Sequence, residues 1–281
     1  MSSTPTVLVD QLAFPECPRW HGGKLWFSDF QTRRVSRLDP ETGAIEVIVE
    51  VPNRPAGLGW RPDGRMLVVS MNDRRLLSHD ADGLHEVADL ASLATFNCND
   101  MVVDRLGRAY IGHMGFDVVQ RAPFKPSVLI LVDEHGNARA VAEDLAFPNG
   151  MAMTPDGRTL IVAETYASRL TAFDVRPDGG LENRRVWAEL QDARPDGICL
   201  DAEGAVWYAC PQNRAVIRVR EGGEVTDRIP VATNAYACEL GGADRRTLFI
   251  CTAPLIGPEA LARREGKIET VRVAVPGVGL E

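Results

Sequence analysis

The sequence lacks the short motifs that identify many common enzymes. It has no H-E-x-x-H zinc motif, no G-x-S-x-G nucleophile elbow, no Walker loop and no G-x-G-x-x-G after a predicted strand. It also lacks a basic excess, since 31 Lys and Arg stand against 39 Asp and Glu, a net charge of -8. Arginine-rich turns such as 73–75 and 244–246 also contain acids, so we interpret them as solvated surface. Binding to nucleic acid requires a basic face, and nucleic acid is therefore not an expected partner.

Long hydrophobic runs are missing as well. No apolar stretch approaches the roughly 20 residues that a membrane-spanning helix needs, and the first ten residues have neither the basic start nor the apolar run of a secretory signal. The six cysteines form no C-x-x-C pair, so reduced, buried thiols are expected. These absences predict a soluble, cytoplasmic protein without a membrane partner.

What the sequence does contain is a repeat. Six segments share a short apolar run, a turn resembling P-D-G-R and a second run rich in β-branched and aromatic residues. They begin 41 to 50 residues apart, at Glu16, Gly57, Asn99, Asn149, Asp196 and Cys238. The turn chemistry favours a β-hairpin in each segment, and every interval holds a third and usually a fourth extended run. This spacing predicts an all-β fold, a six-bladed β-propeller with four-stranded antiparallel blades.

The two ends of the chain fit this prediction. An extended run at 6–10 precedes the first repeat and another at 268–275 follows the last, so the N-terminal strand can complete the final blade and close the ring. No interdomain linker is visible, and residues 1–281 are predicted to form a single domain. Helical periodicity is nearly absent, and the best candidate, 258–265, suits one or two turns. A β-sandwich is the alternative fold.

Equivalent repeat positions become neighbours in a propeller, because the residues that open the innermost strands converge on the axis. The repeats place six residues there: Glu16, Ala56, Asn99, Asn149, Asp196 and Cys238. Two carboxylates and two amides in this set form an oxygen-rich nest that suits a hard divalent cation. We therefore predict a metal site formed by Glu16, Asn99, Asn149 and Asp196. Taken singly, the F-P-N-G and R-P-D-G segments are ordinary turn sequences.

Five longer motifs resemble those of a known family. They are F-P-E-C-P-R-W (14–20), N-D-M-V-V-D-x-x-G-R (99–108), F-P-N-G-M (147–151), A-E-T-x-A-S-R-L-T-A-F-D (163–174) and R-P-D-G-I-C-L-D (194–201). They are similar to the senescence-marker-protein/gluconolactonase/luciferin-regenerating-enzyme family, which includes regucalcin and bacterial sugar lactonases. The resemblance implies a six-bladed propeller with one axial divalent cation, which could be calcium, zinc, manganese, magnesium or iron. Glu16, Asn149 and Asp196 match its metal ligands, and Asn99 matches a metal or substrate contact.

The resemblance implies hydrolysis of a small-molecule lactone. The cation would polarise the carbonyl, and Asp196, which also matches the proposed general base, would accept a proton from water. One position departs from the family: sugar lactonases carry a substrate-binding arginine where this chain has Asn97. Candidate substrate contacts are Asn97, Asn99 and His113. The loop at 116–127 is either a lid over the site or a packed surface excursion.

Two alternatives to a lactonase stay open at this point. One is a phosphotriester hydrolase or another metal-dependent propeller enzyme. The other is a non-enzymatic calcium-binding propeller, which would keep the cation for stability. Covalent catalysis by a thiol is an alternative mechanism, because Cys238 occupies one of the predicted axial positions. The sequence does not predict an oligomeric state.

Overall fold

The computed structural model describes residues 4–191 and 193–279, and within them the strands form six four-stranded antiparallel sheets. The first three blades are β2 (Pro15–His21), β3 (Lys24–Asp29), β4 (Arg34–Leu38) and β5 (Ile45–Glu50); β6 (Pro55–Trp60), β7 (Met66–Ser70), β8 (Arg75–Asp80) and β9 (Gly83–Asp89); and β10 (Cys98–Val103), β11 (Ala109–His113), β12 (Ser127–Val132) and β13 (Ala138–Leu145). The fourth and fifth are β14 (Pro148–Met153), β15 (Thr159–Glu164), β16 (Arg169–Val175) and β17 (Leu181–Glu189); and β18 (Ile198–Leu200), β19 (Val206–Cys210), β20 (Ala215–Val219) and β21 (Val225–Pro230). The sixth is β22 (Asn234–Gly241), β23 (Thr247–Ala253), β24 (Gly266–Arg272) and, from the chain start, β1 (Thr6–Leu12).

The blades form a closed ring. The innermost strands β2, β6, β10, β14, β18 and β22 each contact the next one in this order, and β22 contacts β2. Strand β1 pairs antiparallel with β24, with Thr6 opposite Thr270. The predicted six-bladed propeller and the predicted closure by the N-terminal strand are both confirmed.

Burial follows the position of each strand within its blade. Inner strands such as β7, with the sequence MLVVS, are buried along their whole length, whereas outer strands such as β5 are mostly exposed or half-buried. Apolar side chains pack between neighbouring blades, as Val35 does with Leu58 and Val68. The hydrophobic core therefore lies between the sheets, which is why each repeat needs its neighbours.

The one assigned helix in the described part of the chain, α1 (Pro258–Arg263), lies between β23 and β24 and has the short length that the sequence predicts. None of the described residues belongs to a helix long and apolar enough to cross a bilayer.

Five of the six innermost strands have a local irregularity near their first residues, and β18 is the exception. Register shifts occur between Glu16 and Arg19 in β2, between Cys98 and Met101 in β10, and between Pro148 and Met151 in β14. Such β-bulges redirect a side chain relative to the regular pleat. The blades also approach most closely here: a Cβ added to Gly150 would lie 2.5 Å from the Ile198 nitrogen. No side chain fits at position 150, so glycine is required directly after the axial residue Asn149.

Candidate active site

The four predicted metal ligands lie at the same end of the channel. Glu16, Asn99 and Asn149 sit at the bulges of β2, β10 and β14 and are 5–7% exposed, while Asp196 is half-buried and precedes β18 by two residues. The Asn99 Nδ2 donates a hydrogen bond to the Asn149 Oδ1 at 2.9 Å, although the two residues are 50 positions apart. The fold therefore brings two of the predicted donors into direct contact.

The two carboxylates also lie close enough to influence each other. Burial raises the pKa of Asp196 well above its usual range, and the negative charge of Glu16 raises it further. Burial likewise raises the pKa of Glu16 to about 7, against the effect of the Cys17 backbone N–H, which donates to Glu16 Oε2 at 2.6 Å. The Asn149 side chain lowers the Asp196 pKa by hydrogen bonding. The charge of Glu16 and the hydrogen bond from Asn149 therefore both influence the protonation of Asp196.

This donor set fits a divalent cation. Across residues 4–191 and 193–279, no Lys, Arg or His forms an ion pair with Glu16 or Asp196. A buried and a half-buried carboxylate that form no ion pair are costly, and one dication would neutralise both. The described residues contain no group of three or more His, Cys, Asp or Glu that could hold a metal, so a cation here would depend on the amide oxygens as well.

Thr165 fixes the orientation of one of those amides. The Asn149 Nδ2 donates to the Thr165 Oγ1 at 3.2 Å, and that hydroxyl in turn donates to the Pro195 carbonyl at 2.8 Å. Because the Thr165 hydroxyl uses its proton on Pro195, it can only accept from Asn149. The Asn149 Oδ1 therefore points away from Thr165, toward Asn99. Support of this kind is common around metal ligands.

An ion pair lies further along the channel. The Arg19 Nη2 donates to the Asp100 Oδ1 at 2.6 Å and to the Met101 carbonyl at 2.5 Å. Burial alone would lower the Arg19 pKa, but Asp100 and Glu239 outweigh it and raise that pKa above its usual value. Arg19 therefore stays charged and balances the third carboxylate near the axis.

The sixth axial position was assigned wrongly from the sequence. In β22 the register shift falls between Ala235 and Ala237, so Tyr236 occupies the bulge, not Cys238. Burial raises the Tyr236 pKa, and the negative charges of Asp196 and Glu16 raise it further, which places the phenol near both carboxylates. Cys238 instead lies in the core, with its Sγ 3.6 Å from the Trp207 carbonyl oxygen. The last repeat lacks the P-D-G turn, which removes the landmark used for the alignment.

No cysteine is placed as an activated nucleophile. All six are buried and unpaired in the described chain. Burial raises the pKa of Cys17 and Cys251 well above the usual thiol value and that of Cys98 to about 12. Because the thiolate is the reactive form, this arrangement argues against covalent cysteine catalysis.

Aromatic side chains from two other segments cluster around Tyr166, which follows β15. The Tyr166 ring contacts Phe116, Phe124 and Phe147 with centroid distances of 5.2, 6.4 and 5.9 Å. Phe116 and Phe124 belong to the loop 116–127, so this loop packs against Tyr166.

The Arg194 guanidinium lies over the Tyr166 ring at 4.9 Å. Since Arg194 is two residues before Asp196 and Phe147 is two before Asn149, the cluster borders the axial site.

The two remaining predicted substrate contacts lie beside this site. Asn97 is half-buried, and its Nδ2 lies 3.4 Å from the Asn72 Oδ1. His113 is buried, with its Nδ1 and Nε2 each 3.2 Å from the backbone nitrogens of Gly115 and Val128. These contacts tie His113 to both ends of the loop 116–127, which suits a residue that positions the loop.

We expect His113 to make the protein acid-sensitive. Burial lowers its pKa from 6.5 to about 4, so the unfolded chain takes up a proton before the folded protein does. The His113 contribution to the free energy of unfolding is therefore complete above pH 6.5 and declines by about 3 kcal/mol as the pH falls to 4. Urea unfolding of wild type and His113→Gln between pH 6.5 and 4 measures this decline.

The stability difference between wild type and His113→Gln should shrink by about that amount toward pH 4. His135→Gln is the matched control, because the His135 side chain is 76% exposed. A wild-type minus His113→Gln difference that does not change with pH would contradict the prediction.

Fold and site together define a six-bladed propeller with an oxygen-lined axial site. Residues 14–254 match the SMP-30/Gluconolactonase/LRE-like region, and the chain belongs to this family. It is 28% identical over 272 residues to a 6-deoxy-6-sulfogluconolactonase from Pseudomonas putida, covering 93% of this chain and 92% of the relative. It is 29% identical over 258 residues to the pentonolactonase XacC of Haloferax volcanii, covering 89% and 85%. The solved structure of a luciferin-regenerating enzyme has the same fold, with a TM-score of 0.84, 17% identity and 98% of each chain covered.

Proposed function

We propose that this protein hydrolyses a lactone at the axial site, with Asp196 as the general base. The observation that carries the proposal is the meeting of Glu16 and Asp196 with the hydrogen-bonded Asn99–Asn149 pair at one end of the channel. Relatives at 28% and 29% identity are named as lactonases, which supports this reaction class.

Asp196 is the carboxylate proposed to act as the base. Burial and the neighbouring charge of Glu16 raise its pKa in the cation-free protein. A bound cation would lower that pKa, so Asp196 is proposed to bind the cation through one oxygen and to accept the proton on the other. In the proposed reaction, water attacks the carbonyl carbon while Asp196 accepts its proton. The ring C–O bond then breaks, the proton passes to the departing oxygen, and a hydroxy acid is released.

Glu16, Asn99 and Asn149 are proposed to hold a divalent cation together with Asp196. When bound, such a cation would supply a Lewis acid for the carbonyl oxygen and neutralise the buried carboxylates. Thr165 keeps the Asn149 amide in one orientation. Calorimetric titration with calcium, zinc, manganese, magnesium and iron identifies the cation that binds.

The surroundings of the site bear on the choice of lactone. Asn97, rather than arginine, removes one charged donor for sugar hydroxyls, which weakens the case for an aldonolactone. The aromatic cluster around Tyr166 offers apolar surface on one side of the site. We also propose that Asn97, Asn99 and His113 act on the substrate side, and that the protein is cytoplasmic.

A panel of lactones tests the proposal. We expect hydrolysis of at least one γ- or δ-lactone, followed by acid release, in the presence of a divalent cation, and its loss on chelation. The panel should include aldonolactones, alkyl lactones and a phosphotriester.

Two results would contradict the proposal. Phosphotriester turnover without lactone turnover would indicate the other hydrolase class. A protein that chelation destabilises, but that hydrolyses nothing in the panel, would indicate a non-enzymatic cation-binding propeller.

A further inference from the structure

The opposite end of the channel contains a second cavity. It has a volume of about 610 Å³ and is lined by the C-terminal ends of β2, β6, β10 and β22, including His21, Trp60 and Val103. At about 3.3 Å per residue of strand, His21 lies roughly 16 Å from Glu16 along β2. The volume falls within the usual range for small-molecule sites, and the cavity shares none of the axial donors. We propose that it binds a small organic anion with a planar apolar body.

Charge is the first reason. Four arginines line the cavity against two acids; the arginines are Arg19, Arg61, Arg105 and Arg245, and the acids are Asp104 and Glu239. Arg19 is already paired with Asp100 at 2.6 Å, and Asp104 with Arg108 at 2.7 Å, so the charge offered to a ligand comes mainly from Arg61 and Arg105. This positive excess stands out in a chain whose net charge is -8.

Hydrogen bonding is the second reason. The Arg61 Nε is buried without a partner in the described part of the molecule. Arg105 is exposed and forms no ion pair with any described carboxylate. A buried N–H without an acceptor is costly. Guanidinium groups bind phosphate and carboxylate oxygens through paired N–H donors, so an oxyanion at Arg61 and Arg105 would satisfy both.

The apolar wall is the third reason. The Trp60 ring stacks on the His21 ring with centroids 4.1 Å apart and planes 8° apart. Leu240 and Val278 line the same cavity. Large rings beside cationic side chains suit a ligand with a flat body and a charged group.

Calorimetry at fixed ionic strength tests this site with three probes. AMP carries a phosphate on a planar body, benzoate carries a carboxylate on one, and adenosine has the planar body without the charge. We expect AMP or benzoate to bind wild type, and adenosine to bind at least about tenfold more weakly. Arg61→Gln and Arg105→Gln should each weaken anion binding about tenfold. The anion that binds identifies the oxyanion class.

Arg220→Gln is the matched control, because Arg220 follows β20 on the surface, is 52% exposed and does not line the cavity. It removes the same charge and should bind the anion as wild type does. The proposal is overturned if neither anion binds, or if Arg220→Gln weakens binding as much as the cavity variants. Arg105 is exposed, so its variant decides the question even if Arg61→Gln fails to fold. Lactone turnover should be unchanged in the cavity variants, which keeps this test separate from the proposed reaction.

Discussion

Asp196→Asn is expected to lower kcat for lactone hydrolysis between about a hundredfold and ten-thousandfold, the usual contribution of a positioned general base. Asparagine keeps the shape and one oxygen of the side chain but cannot accept a proton at neutral pH. The proton of the attacking water would then have no acceptor at this position. Steady-state kinetics on the best lactone substrate measures the effect.

Loss of the cation would also lower kcat, so cation affinity must be measured on the same variant by calorimetry. Asp227→Asn is the matched control, since Asp227 lies on the exposed outer strand β21. Turnover close to wild type in Asp196→Asn with the cation retained would show that Asp196 is not the base. Another group would then accept the proton of the attacking water.

Glu16→Gln is expected to change stability in opposite directions with and without a divalent cation. The folded-state pKa of Glu16 is about 7 against an ordinary value of 4.5, so the folded protein holds its proton more tightly than the unfolded chain. The cation-free protein therefore loses stability as the pH rises from 4.5 through about 7, by up to about 3 kcal/mol. The neutral glutamine removes this loss.

With the cation the order should reverse. A ligand present at a thousand times its Kd stabilises the folded state by about 4.1 kcal/mol, which exceeds the loss of about 3 kcal/mol from the buried Glu16 charge. Glu16→Gln should lose most of this gain because one of the two charged donors is missing. Urea unfolding above neutral pH, with added cation or with chelator, gives both values. Glu224→Gln, at a side chain that is 66% exposed, is the control. Equal stabilisation of wild type and Glu16→Gln by the cation would show that Glu16 is not a ligand.

Much of the fold could be predicted because each repeat carries the sequence signals for its own blade. Each hairpin is marked by its own turn, and the extended run at 6–10 lies where β1 completes the last blade. Glu16, Asn99, Asn149 and Asp196 could be placed together for the same reason, since equivalent positions of equivalent blades meet at the axis.

The remaining features depend on contacts that the repeat does not encode. Tyr236 was missed because blade six begins its bulge two residues earlier than the sequence alignment implies. Arg245 was interpreted as solvated surface, yet it lines the second cavity together with Arg61. Both arginines belong to turns between strands, and the direction of a turn side chain depends on the neighbouring blade. No periodic pattern carries that information.

The pairing of β1 with β24 has a consequence for synthesis of the chain. Thr6 is synthesised 264 residues before its partner Thr270. Until β24 has been made, β1 has no neighbouring strand, and contacts this distant in sequence form slowly. The nascent protein is therefore exposed to aggregation through the unpaired β1 edge during most of its synthesis.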